Sequence, residues 1–165
     1  MNLPFNRSQE VCRNCSTVVD LLQYRCLSQS ERQAFTFLDN GETQESTLTY
    51  QELDRRSRAI ASQLQSMGMA GERALLLYPP GLDFLAGFFG CLYAGVVAVP
   101  AYPPHNQRNT PRIQAIIADA QAAIALTTSA LLPKLQSLIG DNNIFQWLAT
   151  DHLEPGIETA WQAPF

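Results

Sequence analysis

The sequence is 165 residues long, 46% hydrophobic and 16% charged, which is chain enough for one domain with a sizeable buried core. Fifteen acidic residues against 11 basic ones leave a net charge of −4, so the charge balance supports neither nucleic-acid binding nor a basic membrane-surface patch. The opening MNLPFNRSQEVCRN lacks the apolar run of a secretory signal, and a cytoplasmic address is the resulting expectation.

Residues 1–14 read as a loosely held arm. Ser16-Thr17 opens a helix that ends near Ser28, with Val18, Leu21, Leu22 and Cys26 on one face. Ala34–Leu38 alternates as a strand does. Asp39-Asn40-Gly41 turns the chain, and Ser46–Thr49 returns it as a hairpin. Thr49 and Glu52 have the spacing of a capping box, so the next helix starts there. Its buried side is expected at Leu53, Ile60, Leu64 and Met67, its wet side at Arg55, Arg56 and Arg58, and Gly68 ends it.

The centre of the chain is RALLLYPPGLDFLAGFFGCLYAGVVAVPAYPP, Arg73 to Pro104. Ala74–Tyr78 is an apolar strand stopped by Pro79-Pro80-Gly81. Leu82–Ala94 is a helix closed by Gly95, and Val96–Val99 is a second apolar strand closed by Pro100. No charge occurs from Phe84 to Tyr102. Gly95 and Pro100 interrupt that run and no Lys or Arg flanks it closely, so a buried helix feeding a central strand is the expectation, not a membrane span. Gly87, Gly90, Cys91 and Ala94 make a small-residue ridge on this helix, and Phe88, Phe89, Leu92, Val97 and Val99 are expected in the core.

After a stiff loop, Tyr102-Pro103-Pro104-His105-Asn106, Thr110-Pro111 starts a helix with an Ile113, Ile116, Ile117, Ala120 stripe. Ala123–Leu126 is a further buried strand, Ala130–Ile139 a helix and Ile144–Thr150 another strand. Residues 151–165 show no periodicity. Helices alternating with doubly apolar strands make the fold class α/β, a parallel-sheet core with flanking helices, decorated by an N-terminal helix and β-hairpin. The expected division is an arm at 1–14, one α/β subdomain at 15–150 and an irregular tail at 151–165. The strands Ala74–Tyr78, Val96–Val99 and Ala123–Leu126 should be parallel neighbours.

Motifs of known chemistry are missing. There is no G-x-x-x-x-G-K-[ST], no G-x-G-x-x-G and no G-x-S-x-G. Asp83 and Asp119 stand beside apolar helix faces and do not pair. Cys12 and Cys15 have C-x-x-C spacing, but no second ligand pair follows, and His105 and His152 fit no zinc pattern. The loop with Tyr102, His105, Asn106 and Arg108 follows a parallel strand, where open α/β sheets place ligands. A rigid connection that redirects the chain is the preferred reading of this loop.

The stretch from Thr47 to Pro104 resembles the start of acyl-adenylate-forming enzymes, through Thr49-Tyr50-x-x-Leu53 and Gly95-Val96-Val97-Ala98-Val99-Pro100. Ala101-Tyr102-Pro103-Pro104 followed by Arg112-Ile113-x-x-Ile116-x-x-Asp119-Ala120 is most similar to the fatty acyl-AMP ligase branch. The resemblance runs from about Ala34 to Leu138. It implies part of an acyl-adenylate-forming fold and, in the full-length family member, an ATP- and magnesium-dependent activation of a fatty acid to acyl-AMP. Transfer to an acyl carrier protein would follow. The family's phosphate loop, adenine-holding motif, ribose-binding Asp and C-terminal catalytic Lys all come later in its members. No catalytic, cofactor-binding or metal-binding residue can therefore be carried onto this sequence, and the chain alone is expected to be inactive. Two rivals stand beside this reading. One is a non-catalytic binding or scaffold domain that kept the fold, and the other a redox protein using Cys12 and Cys15.

Overall fold

A computed structural model describes residues 15–43, 45–140 and 146–164. The expected arm, Cys12, and the Ile144-Phe145 start of the last strand lie outside the described residues. The first described helix, α1 (Val18–Ser28), begins at Thr17, whose hydroxyl accepts from the Asp20 N–H while the Asp20 carboxylate accepts from the Thr17 N–H. Strands β1 (Gln33–Leu38) and β2 (Glu45–Thr49) pair antiparallel as a hairpin. Helix α2 (Tyr50–Ser66) starts at the second capping box, where the Glu52 N–H donates to the Thr49 hydroxyl at 3.1 Å and the Thr49 N–H to the Glu52 carboxylate at 2.9 Å.

The core unit follows as β3 (Arg73–Leu76), α3 (Leu82–Ala94), β4 (Val97–Pro100), α4 (Thr110–Ala120), β5 (Ile124–Thr127), α5 (Leu132–Ile139) and β6 (Gln146–Ala149). The four strands form one parallel sheet in the order β4-β3-β5-β6, so the three strands named from the sequence are parallel neighbours in it. Alternation along β3 explains why it had to be apolar throughout. Ala74, Leu76 and Tyr78 enter the core shared with α2 and α3, and Leu75 and Leu77 enter the one beneath α4 and α5. Gly95 adopts φ of 69° at the end of α3, a left-handed turn that costs glycine little. Among the described residues no helix is long and apolar enough to cross a membrane.

Several expectations need correction. Strand β4 is the sheet's edge, not its centre, because the chain goes from β3 to β4 on one side and then crosses back over β3 to β5. Val97 is consequently 53% exposed, and Val99 is half-buried. Phe88, Phe89 and Leu92 are half-buried too, since the small-residue ridge takes the inner side of α3, with Cys91 and Ala94 at 0% exposure. The displaced rings form a series along the helix, Phe84 to Phe88 at 6.2 Å and Phe88 to Phe89 at 5.8 Å between centroids. Val18, assigned to the apolar face of α1, is exposed, whereas Arg58, assigned to the wet side of α2, is half-buried against Asp54. The final stretch, expected to be irregular, contains a 3-10 turn at Ile157–Ala160.

Candidate functional site

Two loops leave the C-terminal edge of the sheet side by side, Pro79-Pro80-Gly81 from β3 and Ala101-Tyr102 from β4. Pro79 and Pro80 cannot extend the β3 ladder, and the β4 pairing ends at Pro100, after which the Ala101 N–H donates to the Leu76 carbonyl at 3.1 Å. Between them lies a cleft of about 310 Å³ lined by Tyr78, Pro79, Gly81, Phe84, Pro100 and Tyr102 among others. Tyr102 stands at its mouth, 72% exposed. A smaller cavity of about 210 Å³ continues beside it, bounded by Pro103, Pro104, His105, Asn109 and Arg112. The structure thus gathers Tyr102, Pro103, Pro104 and His105 around one rim and adds Arg112 from the first turn of α4. Asn106 turns away to accept the Arg108 N–H at 3.1 Å, and Arg108 is exposed.

The reversal of strand order falls between β3 and β5, where a doubly wound sheet opens its ligand crevice. Here that crevice is stitched shut. The Thr127 hydroxyl donates to the Leu77 carbonyl across the two strands at 2.7 Å, and the Tyr78 and Thr150 hydroxyls are 2.8 Å apart. Burial pushes the Tyr78 phenol up, far from any proton exchange near neutral pH. The open space is displaced to the β3/β4 side, which is the cleft.

One residue set at this edge has the composition of a triad without its geometry. The Ser129 N–H and hydroxyl both donate to the Asp151 carboxylate at 2.7 Å, and His152 Nε2 lies 3.7 Å from the same carboxylate. A nucleophilic serine must hand its proton to the imidazole, and here it faces the carboxylate instead. The set is a clip between β5 and β6. Partial burial works to raise the Asp151 carboxyl, but the Ser129 bonds and the neighbouring His152 outweigh it and hold the carboxyl below its usual value of 3.8. The clip's contribution is present above that pH and is lost as pH falls through the lower folded-state value. In urea melts, Asp151→Asn should destabilise at pH 7, and the gap from the parent should narrow as pH falls through the lowered folded-state value and the carboxyl gains its proton. A difference that does not shrink at all as the carboxyl titrates would mean that the ionised form is not what strengthens the clip.

The remaining sequence candidates are not brought together. Asp83 pairs with Arg56 at 3.2 Å with both side chains over 40% exposed, a surface pair worth about 0–1 kcal/mol. Asp119 is exposed on α4. Among the described residues no three His, Cys, Asp or Glu side chains converge as metal ligands would. Cys15 and Cys26 are half-buried, and Cys91 is fully buried with its thiol pushed up to about 12 by desolvation. The native chain treated with iodoacetamide at pH 8 should leave Cys91 unmodified by peptide mass spectrometry, and urea should expose it. Labelling of Cys91 without denaturant would mean that α3 opens readily.

Sequence reasoning missed the buried Asp54, whose signal was Arg58 four residues on, an ion pair at 2.7 Å on one helix face. It missed the Tyr78–Thr150 and Thr127–Leu77 stitches, which join residues 72 and 50 positions apart and leave no local trace.

Comparison with known proteins adds the family. The profile of the AMP-binding enzymes matches residues 22–159. The medium-chain-fatty-acid–[acyl-carrier-protein] ligase JamA of Moorena producens is 47% identical over 90% of this chain and 26% of its own. The putative fatty-acid–CoA ligase FadD21 of Mycobacterium tuberculosis is 35% identical over 84% of this chain and 25% of its own. The crystal structure of the fatty acid AMP ligase from Legionella pneumophila superposes with a TM-score of 0.84 at 32% identity, covering 93% of this chain and 26% of that one. The chain thus spans about a quarter of the length of the relatives it matches, and its parallel sheet with flanking helices matches the N-terminal subdomain of acyl-adenylate ligases.

Proposed function

The chain belongs to the AMP-binding enzyme family, and from that premise we propose that it is the N-terminal portion of a fatty acyl-AMP ligase, with residues 15–150 as one α/β subdomain. The whole protein would join a fatty acid carboxylate to the α-phosphate of ATP, releasing pyrophosphate. It would then pass the acyl group from the acyl-adenylate to the phosphopantetheine thiol of an acyl carrier protein, releasing AMP. ATP and magnesium are its cofactors, the fatty acid, the carrier protein and the ligase's remaining subdomains its partners, and the cytoplasm its compartment. The observation that carries this reading is the superposition on the Legionella pneumophila fatty acid AMP ligase over 93% of the chain.

Within that protein this chain supplies scaffold and cleft. A triphosphate does not fit the residues present, since the β3/β4 cleft is lined by no cationic side chain and the sole lysine, Lys134, is exposed on α5. The phosphate-binding, adenine-binding and catalytic groups belong to the remaining three-quarters. The test is ATP–pyrophosphate exchange by the whole gene product with fatty acids of graded length, followed by transfer to holo acyl carrier protein or to coenzyme A. Fatty-acid-dependent exchange with transfer to the carrier protein is expected. A whole product inert toward every fatty acid would overturn the reading and favour the scaffold.

A further inference from the structure

Away from the cleft, a chain of polar and aromatic contacts fastens the end of the sequence to α2 and α3. Asp54, 7% exposed, accepts from the Tyr93 hydroxyl at 2.6 Å and from Arg58 Nε at 2.7 Å. The Arg58 guanidinium then lies over the indole of Trp161, 4.3 Å from the ring centroid, and 5.8 Å from that of Tyr93. The indole N–H donates to the Tyr93 carbonyl at 2.9 Å. One residue on, Gln65 grips the Gln162 backbone twice, accepting its N–H at 3.2 Å and donating to its carbonyl at 2.7 Å. The described backbone bonds of residues 157–161 run instead within the segment and its approach, Ile157 to Glu154, Thr159 to Gly156 and Trp161 to Glu158.

We propose that Ile157–Pro164 is a latch that closes on Arg58, Tyr93 and Gln65 and opens as a unit while the parallel sheet stays folded. Three features support it. The segment is held to the body by side chains at one short stretch and shares no ladder bond with the sheet, the arrangement of a low-stability local unit. Its anchor is a planar cation already fixed by a buried carboxylate, so the indole meets a preorganised surface. Trp161 also borders a cavity of about 420 Å³ shared with Val18, Gln23 and Leu92, which gives the ring room to leave Arg58 without displacing packed core atoms. Closed, the latch holds Trp161 and Gln162 against α2 and α3; open, it releases them. The inference stands on these contacts and is independent of the reading of activity.

Hydrogen–deuterium exchange of the full chain, read peptide by peptide, tests it with Gln65→Ala, Trp161→Ala and Arg58→Lys. Gln65 is a surface amide, so its loss leaves the core untouched, and Arg58→Lys keeps the charge beside Asp54 while removing the planar face. In each variant the amides of 157–164 should exchange about tenfold faster or more, with β3 and β5 unchanged. Unchanged exchange at 157–164 in all three variants would overturn the latch. So would loss of protection in β3 and β5 together with 157–164, which would make the segment part of the core.

Discussion

Assayed alone with ATP, magnesium and a panel of fatty acids, the 165-residue chain is expected to give no ATP–pyrophosphate exchange above blank. Adenylation requires a carboxylate held in line with the α-phosphate and cations placed where charge develops. Such positioning accounts for roughly 7–11 kcal/mol of a barrier, or about five to eight orders of magnitude in rate. Nothing described in this chain can supply it. The cleft lining is aromatic, proline, glycine and alanine. Lys134 sits on the solvent side of α5 just behind Pro133, Arg112 borders a separate smaller cavity, and Arg55 and Arg56 border another that they share with the carboxylates of Asp83, Asp151, Glu154 and Glu158. The Asp151 carboxylate is committed to Ser129. Nucleotide titration by calorimetry should be equally flat. Exchange clearly above blank from the purified chain would mean that a site exists in it which neither the motifs nor the cleft geometry discloses. The whole gene product then separates this outcome from failure of the family reading, because it must be active if that reading holds.

Gly90→Val should be the most damaging single substitution in the α2–α3 interface. A Cβ at Gly90 would come within 2.6 Å of Ile60 Cγ2 and 2.7 Å of Ile60 Cβ, with the Ser57 carbonyl at 3.4 Å. Ile60 Cβ is rooted in the backbone and cannot swing aside. The Ser57 hydroxyl is itself buried and bonded to the Leu53 carbonyl at 2.7 Å, which stiffens that turn of α2. The two helices must therefore separate. Alanine gains about 1 kcal/mol of helix propensity over glycine, against an overpacking penalty of about 1–3 kcal/mol. Gly90→Ala should therefore lose at most about 2 kcal/mol. Valine forfeits much of the propensity gain and adds two methyl groups at the tightest point, so a loss above about 3 kcal/mol is expected in urea melts. Ile60→Ala should cost less in the Gly90→Ala background than in the parent, with a coupling of roughly 0.5–3 kcal/mol. A Gly90→Val protein as stable as the parent would show that this helix pair is not closely packed.

How much was legible follows from what each feature depends on. The parallel strands and their helices were readable because a strand buried on both faces must be apolar at every position, as Ala74 to Leu77 is. Thr17 and Thr49 announced their helices through side chains that act three residues away. The edge position of β4 was unreadable, since Val97 has the composition of a core residue and its exposure is set by the direction in which the chain crosses to β5. The half-burial of Phe88 and Phe89 goes with the close approach of Gly90 to Ile60, which puts the small-residue side of α3 inward and is a property of two helices together. Arg58 illustrates the same limit. Its charge predicted solvent, and its burial depends on Trp161, more than 100 positions later in the sequence. The loop after β4, with Tyr102 and His105, was marked in the sequence as a position where such sheets place ligands, with a rigid connection preferred. The stitches that close the neighbouring crevice were not, because each joins residues on different strands.

The strand order β4-β3-β5-β6 also has a consequence in time. The first core strand, Arg73–Leu76, gains its second neighbour only when Ile124–Thr127 has been made, 51 residues later counting from Arg73 to Ile124. At translation speeds of about 5–20 residues per second, that wait is roughly 3–10 s. Throughout it, one margin of an apolar strand has nothing to hydrogen-bond, and the helices that will roof its second face, α4 and α5, are incomplete. Ribosome-bound nascent chains halted before Ile124 should therefore recruit holding chaperones and be cut by protease near β3, and chains halted well past Ala149 should do neither. The crossover that places β4 at the rim thus also sets the interval during synthesis when this protein is most exposed to misassembly.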